Sequence, residues 1–212
     1  MKKVALLITL AFGIFSASAQ KPAYEKAMTS IVTEIQQPGI TESLQPQTNK
    51  MERIAAAEES EWLPKYWVAY GYAMESFRKQ DSGEKDQLLE LAEKSIAAAE
   101  RLSPDNDEIE VLKAQIASAR VSVDPMNRFQ TYGDKFMKAL AKAEKLEPSN
   151  PRVDYLKAMN AFYTPENFGG GKAIAKPLFE QALDKYSKFE QKSTIHPSWG
   201  KMESEYFLSQ CQ

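Results

Sequence analysis

The sequence is poor in the residues that carry most covalent and metal chemistry. It holds one cysteine, Cys211, and one histidine, His196. A lone cysteine excludes an intramolecular disulfide, so the fold must be held by packing or by a partner. Near the C-terminus Cys211 reads as an apolar filler on a last helix. One His and one Cys fall short of the usual zinc ligand sets. They lie fifteen residues apart with no third group to orient them as a nucleophile and base. No metal, no cofactor and no catalytic residue is therefore expected. The chain also lacks a basic excess: 27 Lys and Arg stand against 29 Asp and Glu, a formal charge of −2. With both signs interspersed, nucleic acid is not an expected partner.

Glycine is scarce too, with nine in 212 residues, yet three fall together in "PENFGGGK" at 165–172. A phosphate loop of the Walker type would need a glycine at 166 and Ser or Thr after the lysine. The chain has Glu166 and Ala173. The segment is expected to be a corner that opens a helix near Lys172, with Pro165 ending the helix before it. The acidic run "DNDEIE" at 105–110 lacks the sixth-position glycine of a calcium loop, where it has Glu110. Asp107 and Glu108 are expected in the first turn of a helix, where negative charge complements the dipole.

What is present begins with "MKKVALLITLAFGIFSASAQ". Lys2 and Lys3, an apolar run from Val4 to Phe15 and the Ala17-Ser18-Ala19 site have the order of a secretory signal peptide, expected to be removed as residues 1–19. The apolar run is shorter than a membrane span, so no stable membrane insertion is expected after cleavage. The start and the junction look bacterial, which puts the mature chain in the periplasm.

The remainder is rich in Ala, Leu, Glu, Lys and Met, without sustained period-2 alternation, and predicts an all-α fold. Proline-bearing breaks punctuate it, among them "QQPG" at 36–39, "SPDND" at 103–107, "VDP" at 123–125, "EPSNP" at 147–151 and "IHPSWG" at 195–200. Two helix endings repeat without gaps at an offset of 44: "AEKSIAAAERLSPDN" at 92–106 and "FMKALAKAEKLEPSN" at 136–150. Ala92, Ile96, Ala99 and Pro104 correspond to Phe136, Leu140, Ala143 and Pro148. This order resembles the second helix of a tetratricopeptide repeat, and "WVAYG", with Trp67, Tyr70 and Gly71, resembles the first. Small residues there let antiparallel helices approach closely.

The resemblance implies a short α-solenoid of antiparallel helix pairs. Its divisions are a degenerate pair at 20–61, repeats at about 62–104, 105–148 and 149–196, and a capping helix at 197–211. The family period is 34 residues, so about ten extra residues are expected between the two helices of the 44-residue unit. The family register implies a concave face lined by first helices. It carries Lys65, Val68, Tyr72 and Glu75, then Glu108, Val111, Gln115 and Ser118, then Arg152, Tyr155, Met159 and Phe162. Of these, Lys65, Tyr72, Val111, Gln115, Arg152, Tyr155, Met159 and Phe162 are the candidate partner-binding residues. The implied function is a non-enzymatic scaffold for a protein or extended peptide. Two other readings stay open: a helical hydrolase or small-ligand-binding protein using carboxylates or the glycine loop, and a structural homo-oligomer.

Overall fold

The computed structural model describes residues 9–36 and 43–212. The first eight residues of the expected export signal, and most of the "QQPG" break, lie outside the described residues. The described residues form helices and turns only: α1 (Thr9–Ile35), α2 (Gln45–Ala57), α3 (Trp62–Ser76), α4 (Ser82–Leu102), α5 (Asp107–Val123), α6 (Pro125–Leu146), α7 (Pro151–Tyr163), a 3₁₀ turn (Glu166–Phe168), α8 (Lys172–Lys188) and α9 (Lys201–Ser209). None of these helices is long and apolar enough to cross a membrane.

Local chemistry sets most of the boundaries. Asp81, Asn106, Asp124 and Asn150 each accept a hydrogen bond from a backbone N–H in the first turn that follows. Pro125 and Pro151 occupy the first turns of α6 and α7, where a missing N–H costs nothing. Helices adjacent in sequence pack as neighbours, while α3, α5 and α7 also touch one another as an inner layer. The result is an all-α, solenoid-like stack with α4, α6 and α8 outside. Ala92, Ala99, Ala114, Ala143, Ala158, Ala175 and Ala182 are fully buried where helices meet. These are the small positions that close approach requires.

The extra residues of the 44-residue unit lie elsewhere than expected. No insertion separates its two helices: Asp124 alone joins α5 to α6, serving as the cap of both. The surplus lengthens the helices, with 17 residues in α5 and 22 in α6.

The glycine corner has a steric cause. The N–H of Gly171 donates to the carbonyl of Ala161 and that of Gly170 to Pro165, folding the loop back on the end of α7. A Cβ on Gly170 would collide with the Thr164 carbonyl, whereas one on Gly169 would meet open space.

Inside the stack, residues 195–200 run against the inner layer. Trp67 Nε1 donates to the Ile195 carbonyl at 2.8 Å, and Trp199 Nε1 to Tyr66 Oη at 2.9 Å. Tyr186 Oη donates to the Trp199 carbonyl at 2.8 Å. The Trp199 ring lies 5.4 Å from Tyr70 and 6.0 Å from Tyr155. Gly200, at φ 102°, leaves no room for a side chain because Tyr186 Oη occupies the Cβ position. Beneath the tryptophan, Arg152 from α7 is fully buried and forks onto Glu108 of α5. Its guanidinium is 4.7 Å from the Phe189 ring and 5.8 Å from that of Trp199. Burial pushes the Glu108 carboxyl up, against the opposing pull of Arg152.

A second network ties α4, α5 and α6 together. Arg120 donates to Glu93 and, at 2.6 Å, to Asp86, while Arg128 forks onto Asp86 at 2.6 and 2.8 Å. Hydrogen bonds from Arg128, joined by Arg120 and outweighing partial burial, hold Asp86 at about 2.

Three outcomes follow. Arg152→Ala strands a buried carboxylate and is expected to cost about 3–5 kcal/mol, measured by urea unfolding; a loss below 1 kcal/mol would contradict the buried-pair account. Gly170→Ala is expected to lower stability by about 1–3 kcal/mol through the clash, and by more than Gly169→Ala. The depressed Asp86 contributes stability that is complete above the ordinary carboxylate range of about 4 and fades as pH falls through about 2. Asp86→Asn is therefore expected to flatten the acid limb of a stability–pH curve between those values; an unchanged limb would show that Asp86 is not the group responsible.

Candidate functional site

The inner face that the tetratricopeptide register pointed to is largely packed. Tyr72, Val111, Arg152 and Tyr155 are buried there, as are Val68, Glu75 and Glu108. Met159 and Phe162 pack against the core from its edge. Phe162 lies 5.1 Å from Phe207 of α9 and 6.4 Å from Phe179 of α8. Gln115 and Ser118 are half-buried on α5. Lys65 donates to the carbonyls of Ala55, Glu58, Glu59 and Glu61, closing the turn between α2 and α3, and burial lowers its pKa. Tyr72 donates to Glu52 at 2.7 Å, and burial with that carboxylate pushes its pKa up to about 12. The expectation of an open peptide groove on these residues is corrected by one physical fact. Other parts of the chain already meet these side chains: Glu52 meets Tyr72, Trp199 meets Tyr155 and Phe207 meets Phe162, so aromatic residues at helical spacing here serve as core.

His196 and Cys211 do not form a site either. The histidine ring is 5.9 Å from Trp62, its Nδ1 is 2.7 Å from Ser193 Oγ, and burial lowers its pKa. Cys211 is half-buried against the core. The buried carboxylates are engaged in structure: Glu108 with Arg152, Asp154 with Lys185 at 2.5 Å, and Glu75 with the N–H of Leu44 at 3.0 Å. Asp107 and Glu108 do sit in the first turn of α5.

The outer layer offers a different place. Helices α4 and α6 both pack on α5, and between them lies a cleft of about 440 Å³. That volume is in the range of small-molecule sites. Its floor is apolar: Ile96 and Ala97 from α4, Ile116 and Ala117 from α5, and Ala139 from α6. Small side chains at 97, 117 and 139 leave space unfilled that leucines would occupy. Tyr132 stands at one end, with the Lys135 ammonium 4.8 Å from its ring centroid. The Asp86–Arg120–Glu93 network braces that side, since Glu93 lines the cleft. Across the floor, buried Glu110 accepts from Lys113 at 3.1 Å and pairs with Lys142 at 3.0 Å. Lys113 also reaches Glu100 at 2.9 Å.

None of these lining residues figured among the expected partner-binding positions. One signal for them was present in the sequence. Tyr132, Lys135, Ala139 and Lys142 recur at helical spacing on one face of α6, and Met126, Phe129 and Met137 on the same helix remain exposed. A helix with a mixed apolar and cationic face need not be spent wholly on core packing.

No family model and no curated protein matches this chain. Among solved structures it is similar to the HusA haemophore from Porphyromonas gingivalis, with a TM-score of 0.78 and 35% identity, over 89% of this chain and 92% of that one. Identity of that size across nearly the whole of both chains goes with the shared all-helical stack, and the chain belongs to the family of the HusA haemophore.

Proposed function

We propose that this protein is an exported, non-enzymatic carrier that binds haem in the cleft between α4 and α6. The observation that carries the reading is the near full-length similarity to a haemophore in a chain whose outer layer leaves an apolar cleft of ligand size. The residues lining the cleft fit the group. Ile96, Ala97, Ile116, Ala117 and Ala139 offer the flat apolar contact that a porphyrin face requires, and Tyr132 belongs to a residue type that ligates haem iron. His196, of another residue type that ligates haem iron, is held against Trp62 by the turn at 193–196 and does not line the cleft. Haem is the cargo here, so binding rather than turnover is the activity, and the engagement of the buried carboxylates in structure supports that. The signal-like residues 1–19 support export; the periplasm is the compartment we propose. The helix-pair stack supports kinship in architecture with tetratricopeptide repeats, while a peptide ligand along the inner face is disfavoured where Trp199 packs on Tyr70 and Tyr155.

The test is a titration of the mature protein with haemin, followed by the Soret band. Ala97 lines the cleft and is exposed, so Ala97→Trp fills the site without entering the core. It is expected to weaken binding by about tenfold or more, equivalent to about 1.4 kcal/mol. Tyr132→Phe is expected to alter the iron spectrum. Unchanged affinity in Ala97→Trp would remove the cleft as the site, and no saturable binding by the native chain would remove the haem reading.

A further inference from the structure

The two walls of the cleft carry opposite charge. From α4 come Glu93 and Glu100; from α6 come Lys135, Lys138 and Lys142. Most of these charges are already neutralised within the protein. Glu93 is held by Arg120, Glu100 by Lys113, and Glu110 by both Lys113 and Lys142. Lys142 also pairs with Asp105 at 3.3 Å. Two cations remain over. Lys135 rests on the Tyr132 ring, and Lys138 has no carboxylate partner among the described residues. They are three positions apart on α6, so their side chains project from neighbouring points on one face, about 5–6 Å apart at Cβ.

We propose that Lys135 and Lys138 together receive the two carboxylates of the ligand and so fix which edge of it faces α6. This rests on the cleft's being the haem site. The ligand class that follows is a planar apolar ring bearing two adjacent carboxylates. Turned the other way, those carboxylates would meet Glu93 and Glu100 and leave both lysines unmatched. The floor supplies affinity without direction, because Ile96, Ala97, Ile116, Ala117 and Ala139 make no directional contacts. Direction comes from the wall charges. Both lysines are solvent-exposed, so each contact is worth a modest factor and the pair together about tenfold.

The experiment compares haemin with its dimethyl ester, which keeps the ring and iron but loses both negative charges, in Soret titrations of the full mature chain. The native protein is expected to prefer the free acid by about tenfold. Lys135→Gln/Lys138→Gln is expected to lose that preference while holding the ester as tightly as the native chain does. Lys145→Gln, on α6 but outside the cleft, is expected to keep the preference. Equal binding of acid and ester by the native chain, or a preference that survives in the double variant, overturns the lysine assignment and leaves the haem reading standing. Failure of either form to bind the native chain overturns the haem reading and the lysine assignment with it.

Discussion

The structure depends on how the inner layer of helices is closed. A solenoid of helix pairs leaves one face of its first helices open unless something covers it. Here the cover is the chain's own segment 195–200, pinned by hydrogen bonds from Trp67 and Tyr186 to its carbonyls and by Trp199 reaching Tyr66. Under it lies a charged pair, Glu108 and Arg152, that could not be buried singly. Arg152 satisfies Glu108, and the rings of Phe189 and Trp199 cover the guanidinium. Removing the tryptophan would expose the pair, and removing the arginine would strand the carboxylate. The inner face is thus committed to stability.

The outer layer is less completely filled. A concavity of ligand size lies between α4 and α6 above α5. It stays open for two reasons: its walls carry alanine where larger residues would meet, and the Arg120 and Arg128 fork onto Asp86 fixes how far α6 can lean towards α4. The same network leaves Tyr132 and the lysine-bearing face of α6 beside the cleft. Within the cleft, internal carboxylates pair with Lys113 and Lys142, while Lys135 and Lys138 have no carboxylate partner among the described residues.

The all-helical class and the helix endings were legible in the sequence because they rest on local physics. Capping side chains at Asn106, Asp124 and Asn150 act over two or three residues. Prolines at 125 and 151 act on their own turn, and the failed phosphate-loop spacing around Gly169–Gly171 already pointed to a corner. The 44-residue offset marked repeated helix pairs correctly, yet misplaced the surplus length, since nothing local distinguishes a longer helix from an inserted loop when both are rich in Ala, Glu and Lys. The site was the least legible part. Tyr155, Met159 and Phe162 have the composition of a binding surface and the periodicity of a core, and only the position of a distant segment decides between them.

By itself, then, the sequence determined the secondary structure and the pairing of neighbouring helices, both of which follow from residue type and short spacing. Only the tertiary structure decided which face is open. Ile195 and Trp199 meet Trp67 and Tyr66 across about 130 residues of chain, and no pattern within a single helix encodes so remote a contact. The same long-range closure put Tyr155 of the expected groove into the core, while a cleft stayed open between α4, α5 and α6.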